Sequence, residues 1–445
     1  MKKKIVYNIV GLIAAFGPII LHLNPTIQLL CIFAASIFLW ISSSIEFGSL
    51  VCLSSLFFLP EVTANMIFQN SFGNSTIMFL LFSMLLTYGL AQSGVLANIA
   101  GFFIDNPRAR KNQRVFLAFY LLSELIIGSF IAPTTLFILY LGIANEIFLL
   151  LGLKKGDPFA KRIMIGTGLF ASISCAWTPI AHTFPLMALG YYETLTETAI
   201  SYAAYMKYSI PVGAIIAIIT YLLLIYKLPK EPINVSDNFV KVVGWNKQNI
   251  AAVVIFIGVV LCWVLPGLNV LKVLNTYGNV LPAIIGCILL VLINSLNVKE
   301  GLTKGVAWSA LLLCAATLTL GAVLKMDQFG IIPMITSALE GHMSIILIVV
   351  FTVFLTNLIS NIVTTTVSFN IFIPAIVAAG TLNPVLATII IGFGASLAYA
   401  LPSSIAHIAL TASSGYAETK DMVKYGGIIM IISMIIMCIF GVIYG

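Results

Sequence analysis

Charge is what this chain has least of. Only 8% of its 445 residues are Asp, Glu, Lys or Arg, against about 25% in soluble globular domains, which excludes a soluble fold with an ordinary charged surface. The net charge of +7 does not describe a nucleic-acid binder either, because the basic residues stand in short connections between apolar runs. Seven cysteines are present, Cys31, Cys52, Cys175, Cys262, Cys287, Cys314 and Cys438, each alone in an apolar stretch. That spacing excludes a disulfide framework and a metal centre and leaves small buried residues. What fills the chain is hydrocarbon: 60% of residues are hydrophobic and the mean hydropathy is +1.10. The class this defines is an all-α polytopic membrane protein.

Residues 5–23 follow Lys2, Lys3 and Lys4 and have the basic start and apolar middle of a signal peptide. No small-residue cleavage site follows, so the expectation is a first membrane helix over residues 1–25 with a cytoplasmic N-terminus. Three basic clusters mark the cytoplasmic side: Arg108, Arg110, Lys111 and Arg114; Lys154, Lys155, Lys161 and Arg162; and Lys227, Lys230, Lys241 and Lys247. The apolar stretch 115–153 between the first two must then enter and leave on one side. With "GSFIAPTT" at its middle it reads as a re-entrant hairpin, and two ordinary crossings joined by a short turn remain an equal reading. A helix over 163–190 is expected to break at "WTPIAHTFP", where Pro179 and Pro185 free backbone groups. The acidic "YYETLTETAISYAAYMKY" after it is expected outside, and 26–228 forms a first repeat.

A cytoplasmic linker over 229–247 then divides the chain, and a second repeat over 248–445 follows the same plan. Its hairpin is expected at about 345–379, its broken helix at about 384–415, and its final helix at 425–444, ending outside. The duplication is visible by residue. Ser129, Ile131, Thr134 and Thr135 recur as Ser360, Ile362, Thr365 and Thr366, all 231 positions on. His182, Gly190, Tyr191, Glu193 and Thr194 recur as His407, Gly415, Tyr416, Glu418 and Thr419, all 225 positions on. One hairpin opens inward and the other outward, so the halves are inverted repeats, as in secondary transporters with a midplane site. About eleven spans plus two hairpins result.

At the tips, short polar residues stand where lipid would require apolar ones. Ser129, Thr134, Thr135, Ser360, Asn361, Thr364 and Thr365 are candidate substrate ligands, and helices starting there aim unpaired N–H groups at an anion without any buried Lys or Arg. The plainer reading, Ser and Thr holding membrane helices together, applies to any one of them. His182 and His407 are the other candidates. Each either donates to an anion or titrates with transport, or else sits neutral on a carbonyl freed by the break. Glu124 and Glu146, on the arms of the first hairpin, are weaker proton-site candidates.

With these residues in place, the sequence resembles the divalent anion/sodium symporter family over nearly the whole chain. The resemblance rests on the Ser129 and Ser360 tips, on "TPIAHTFP", and on "LPSSIAHIALTASSGYAETKDMVKYG". It implies an elevator-type carrier of dicarboxylates, citrate or sulfate, a homodimer in the cell (inner) membrane, often coupled to sodium. Carried over, Ser129, Ser360 and Asn361 match substrate positions, and Ser129, Thr178, Ser360 and Asn361 match the region that holds Na+ as coupling ion. The chain departs from the family at Phe130 in the first motif, at Ile131 and Ile362 in both, and at Ile405, Ala406 and His407 in the second break. The function expected is symport or exchange of a di- or tricarboxylate, with no enzymatic activity. An inorganic-anion carrier, a cation/proton antiporter and an intramembrane enzyme are the alternatives; the antiporter would want buried acidic residues at the breaks, where Ser, Thr and His stand instead, and the enzyme a large outside loop and an acidic partner inside the membrane, neither of which is evident.

Overall fold

The computed structural model describes residues 2–234, 238–242, 244–270, 273, 278–339 and 341–445, and among them it is all-α with no strand. The linker expected over 229–247 is seen except at 235–237 and 243, which lie outside the described residues. The chain opens with α1 (Lys2–Ile20), α2 (Pro25–Ser42) and α3 (Ile45–Leu56), each packed on the next. Their starts are local chemistry: Asn24 and Ser44 accept hydrogen bonds from Thr26 N and Phe47 N, and Pro25 fills the first helical position. Then come α4 (Ala64–Asn70), α5 (Ser75–Gln92), α6 (Val95–Ile104), α7 (Gln113–Gly128), α8 (Pro133–Leu150), α9 (Pro158–Ala176), α10 (Thr183–Thr196) and α11 (Tyr202–Ile225).

The second half contains α12 (Lys247–Val264), α13 (Val280–Leu292), the single turn α14 (Val298–Glu300) with a π-helical turn at Gly301–Gly305, and α15 (Trp308–Leu324). It continues with α16 (Ile331–Leu339), α17 (Ile345–Leu358), α18 (Asn361–Ala379), α19 (Pro384–Ala395), α20 (Ala406–Ser413) and α21 (Thr419–Tyr444). Packing runs both within and between the halves. Helix α3 lies on α15 and α13 on α5; α7 and α8 lie on α9, and α17 and α18 on α19; α10 lies on α18 and α19, and α20 on α8 and α9.

Eight helices among the described residues are long and apolar enough to cross a membrane, or nine if the pair bent by 70° at Val298–Gly305 and Trp308–Leu324 counts as one span. Others are shorter: α3 and α19 have 12 residues each, about 18 Å of helix, short of the ~30 Å hydrocarbon layer.

One local expectation is corrected, and two interruptions stand where they were expected. Helix α7 ends at Gly128 and α8 starts at Pro133, while α9 ends at Ala176 and α10 starts at Thr183 with Pro185 in its first turn, where no intrahelical N–H is needed. The acidic segment 191–208 belongs mostly to α10 and α11; only residues 197–201 connect them, with Glu197 closing α10 at φ 59°. The last helix begins at Thr419 rather than 425, because Glu418 and Asp421 form a reciprocal capping box.

The linker lies against the base of α6 and α7. Asp105 accepts from Phe239 N at 2.6 Å and Val240 N at 3.2 Å, and Phe239 is buried beside Phe116 at 5.2 Å. Burial pushes the Asp105 carboxyl up, while these amides and Arg110 pull it down. Lys241 pairs with Glu146 at 2.9 Å, which places Glu146 at the base of α8, away from the tips.

Candidate transport site

The first tip is tied to the first helix break. Gly128 ends α7 so close to α9 that a Cβ there would collide with Ser174 Oγ and Leu136. Ser129 Oγ then donates to Leu125 O at 2.8 Å and accepts from Trp177 Nε1 at 2.5 Å, while Ser129 O accepts from the Thr178 hydroxyl. Tip and break, 48 residues apart, are one hydrogen-bonded unit. Ser129 and Thr178 are both buried, whereas Thr134 is half-buried and Thr135 exposed, so the structure does not gather the four residues into one pocket.

The second tip is built differently. Ser360 is half-buried and its side chain does not cap α18. Asn361, the first residue of α18, is only 2% exposed, and neither its Oδ1 nor its Nδ2 has a partner. Such an orphan is rare, since buried polar atoms are nearly always bonded. Thr364 and Thr365 donate to Ser360 O and Asn361 O, each at 2.8 Å, which spends their protons on the helix itself. The Thr366 hydroxyl lies 3.3 Å from Tyr191 OH and joins α18 to α10.

Asn357, on α17, holds this tip to the second break. Its Nδ2 donates to Val353 O at 2.8 Å and Leu397 O at 2.9 Å, and its Oδ1 accepts from Tyr399 N at 2.7 Å and Ala400 N at 3.0 Å. Thr356 adds a bond to Ala395 O at 2.6 Å. Sequence reasoning missed Asn357, although an Asn inside an apolar helix is itself a signal.

The two histidines meet on one helix. His407, at 0% exposure, places Nε2 2.8 Å from Ser172 Oγ, and Ser172 Oγ also donates to Ala398 O at 2.6 Å. With that proton spent, Ser172 accepts from His407 Nε2–H, which leaves Nδ1 as a bare lone pair without a partner. His182, the residue before α10, lies with Nδ1 3.4 Å from Cys175 Sγ and its ring against Phe184 at 4.3 Å. Ser172 and Cys175 are neighbours on one face of α9. Neither had a motif to announce it.

All seven cysteines are free, four buried and three half-buried, and no group of His, Cys, Asp and Glu among the described residues is arranged to hold a metal. A cleft of about 570 Å³ opens between α5, α10, α12 and α13, lined by Phe79, Glu193, Tyr202 and Trp263 among others. The tip residues do not line it.

An all-helical chain of long apolar helices, with paired polar turns facing paired helix breaks, defines a polytopic membrane transporter. The chain belongs to the citrate transporter family, whose model matches residues 35–392. It is therefore a transporter and not an enzyme. An uncharacterized transporter of Haemophilus influenzae is 24% identical over 349 residues, covering 75% of this chain and 73% of its own. An uncharacterized transporter of Methanocaldococcus jannaschii is 26% identical over 343 residues, covering 74% of this chain and 73% of its own. Among solved structures, the Alcanivorax borkumensis YdaH transporter superposes with TM-score 0.57 at 14% identity, over 85% of this chain and 87% of that one. Neisseria gonorrhoeae MtrF, an antimetabolite efflux pump, superposes with TM-score 0.57 at 12% identity, over 86% of this chain and 84% of that one. These two likenesses establish the fold alone.

Proposed function

We propose that the protein is a secondary active carrier of small di- or tricarboxylates, citrate among them, working by alternating access of the elevator type. The observation that supports this reading most is Asn361, a buried amide with both ends unused at the start of a 19-residue helix, in a chain of the citrate transporter family. A carboxylate at that point would accept from Asn361 Nδ2 and from the unpaired N–H groups of the first turn of α18. No buried Lys or Arg is then required. Asn361 Oδ1, with Ser360 beside it, suits the hydroxyl of a hydroxy acid or a co-transported sodium ion. At the first tip, Ser129 and Thr178 are engaged with the helix break, so on this reading they orient the tip and supply ligands only when the break shifts. His182 and His407 serve as the frame of the two breaks, with His407 Nδ1 left to accept a proton or a donor.

The reading includes a homodimer in the cell membrane, with the N-terminus cytoplasmic and the C-terminus outside. Supporting the orientation, Lys161 pairs with Asp421 at 3.0 Å and Arg162 donates to the Tyr425 hydroxyl. The start of α21 thus meets a basic cluster, and its far end lies away from it.

The test is uptake of labelled citrate, succinate and sulfate by the full chain in proteoliposomes, under imposed sodium or proton gradients or with internal substrate. Saturable citrate or succinate uptake with counterflow is expected. Sulfate transport alone would replace the carboxylate assignment, and no transport of any anion under any gradient would end the carrier reading.

A further inference from the structure

Glu124 takes no part in the site described above, yet among the described residues it is the one acidic side chain with both oxygens buried and without a partner. It sits on α7 five residues before Ser129, at 0% exposure, where α7 packs on α9 and α6 and meets α8. Tyr120 stands one turn before it on α7, and the Tyr140 phenol of α8 reaches the adjacent Ser123. The surrounding hydroxyls are spent elsewhere. Tyr140 donates to Ser123 Oγ at 2.7 Å, Ser123 to Tyr120 O at 2.7 Å, and Thr167 to Ile163 O at 2.9 Å, while Tyr120 OH lies between Thr167 Oγ1 and Tyr140 O.

Charge comes no closer from the other elements packed on α7. Asp105 after α6 and Arg110 of the turn following it face each other at 4.0 Å, Arg114 binds Leu228 O, Tyr221 of α11 binds Arg114 O, and Lys161 of α9 faces Asp421. All lie at the base of the helices. Glu146 on α8 faces Lys241 there too.

A buried carboxylate without a cation or a donor is disfavoured in so poor a solvent, and the group stays neutral instead. No group of His, Cys, Asp and Glu among the described residues is arranged to hold a metal ion here; a proton needs only one oxygen. An ionisable residue of this kind inside a membrane protein marks a site of function rather than of stability.

We propose that Glu124 is the proton-carrying residue of the transport cycle: it holds a proton while the seam of α7, α8 and α9 is closed, and yields it when the seam opens to water. The step is a simple transfer. The carboxyl O–H bond breaks, its electron pair remains on the carboxylate, and water takes the proton with no change of oxidation state. The assignment rests on the carrier reading and selects proton coupling within it.

The test uses the full-length protein in liposomes and the variant Glu124→Gln, which keeps shape and neutrality but cannot titrate. Infrared spectroscopy of the wild type at neutral pH is expected to give the C=O stretch of a protonated carboxylic acid, lost in E124Q. Labelled citrate accumulation driven by a proton gradient is expected to fall in E124Q to the level without a gradient, while counterflow of preloaded citrate persists. A wild-type gradient response in E124Q, or loss of counterflow together with accumulation, overturns the proposal. If E124Q does not fold, the wild-type spectrum decides, since absence of the protonated band refutes the assignment. Failure of the wild type to move citrate, succinate or sulfate would instead strike the carrier reading, and the band would still report the state of Glu124.

Discussion

Replacing Asn357 by Ala tests how the second tip is held. The substitution removes four hydrogen bonds at 2.7–3.0 Å. Val353 O keeps its helical partner, but Leu397 O, Tyr399 N and Ala400 N remain buried with nothing to bond. Side-chain hydrogen bonds in membrane proteins average about 0.6 kcal/mol each, and a stranded buried group costs up to about 3 kcal/mol, so three groups give a loss of about 2–9 kcal/mol. The assay is thermal unfolding of the detergent-purified protein, read as loss of the monodisperse species, beside citrate uptake in liposomes. Asn357→Leu fills the same space without hydrogen bonds, so it separates bonding from packing and should melt as low as the Ala variant. Wild-type melting and wild-type uptake in Asn357→Ala would refute the argument, because the break at 396–405 would then be held by something other than this side chain.

The first of the remaining predictions concerns Asn361→Ala, which strands nothing and should melt like the wild type. It should nevertheless lose a hydrogen bond to a charged substrate, about 1.5–3 kcal/mol, or roughly a 10- to 100-fold rise in KM; unchanged KM would remove Asn361 from the site. Thr178→Val releases Ser129 O and should lower stability by about 1 kcal/mol. Trp177→Phe, which releases Ser129 Oγ, should not add its full effect to that, because the two bonds share one partner; strict additivity of the melting shifts would contradict the single unit described. Gly426→Ala places a Cβ 2.6 Å from Tyr399 C and 2.9 Å from Ala400 Cα, backbone that cannot step aside, so a loss of at least about 1–3 kcal/mol is expected in thermal melts. Normal melting of that variant would mean that α21 does not rest on the second break.

The fold class was legible because hydropathy is a property of the chain itself: scarce charge and long apolar runs admit little besides helices in a bilayer. The resemblance was legible from short strings such as the Ser129 and Ser360 tips and "SGYAETKDMVKYG", the last of which lies beyond the residues 35–392 that the family model matches. The details of the site were not, and the reason is distance along the chain. The hydroxyl of Ser129 looks free until Trp177 and Thr178 arrive 48 and 49 residues later. Asn357 finds its partners 40 to 43 residues on. The histidine pair was noticed as a repeat, but its common support on Ser172 and Cys175 uses residue types that carry no motif. The prolines marked both interruptions, and the structure adds their side: Pro133 and Pro185 each sit in the first turn of the helix after the break, where no intrahelical N–H is needed.

Ser172 and Cys175 stand one turn apart on α9, and one touches a histidine from the second half while the other touches a histidine from the first. A rotation of α9 by a single residue, about 100°, would break both contacts together. The two breaks are thus geared to a common shaft: either α9 and both histidines travel as one body during the cycle, or both breaks disengage in the same step.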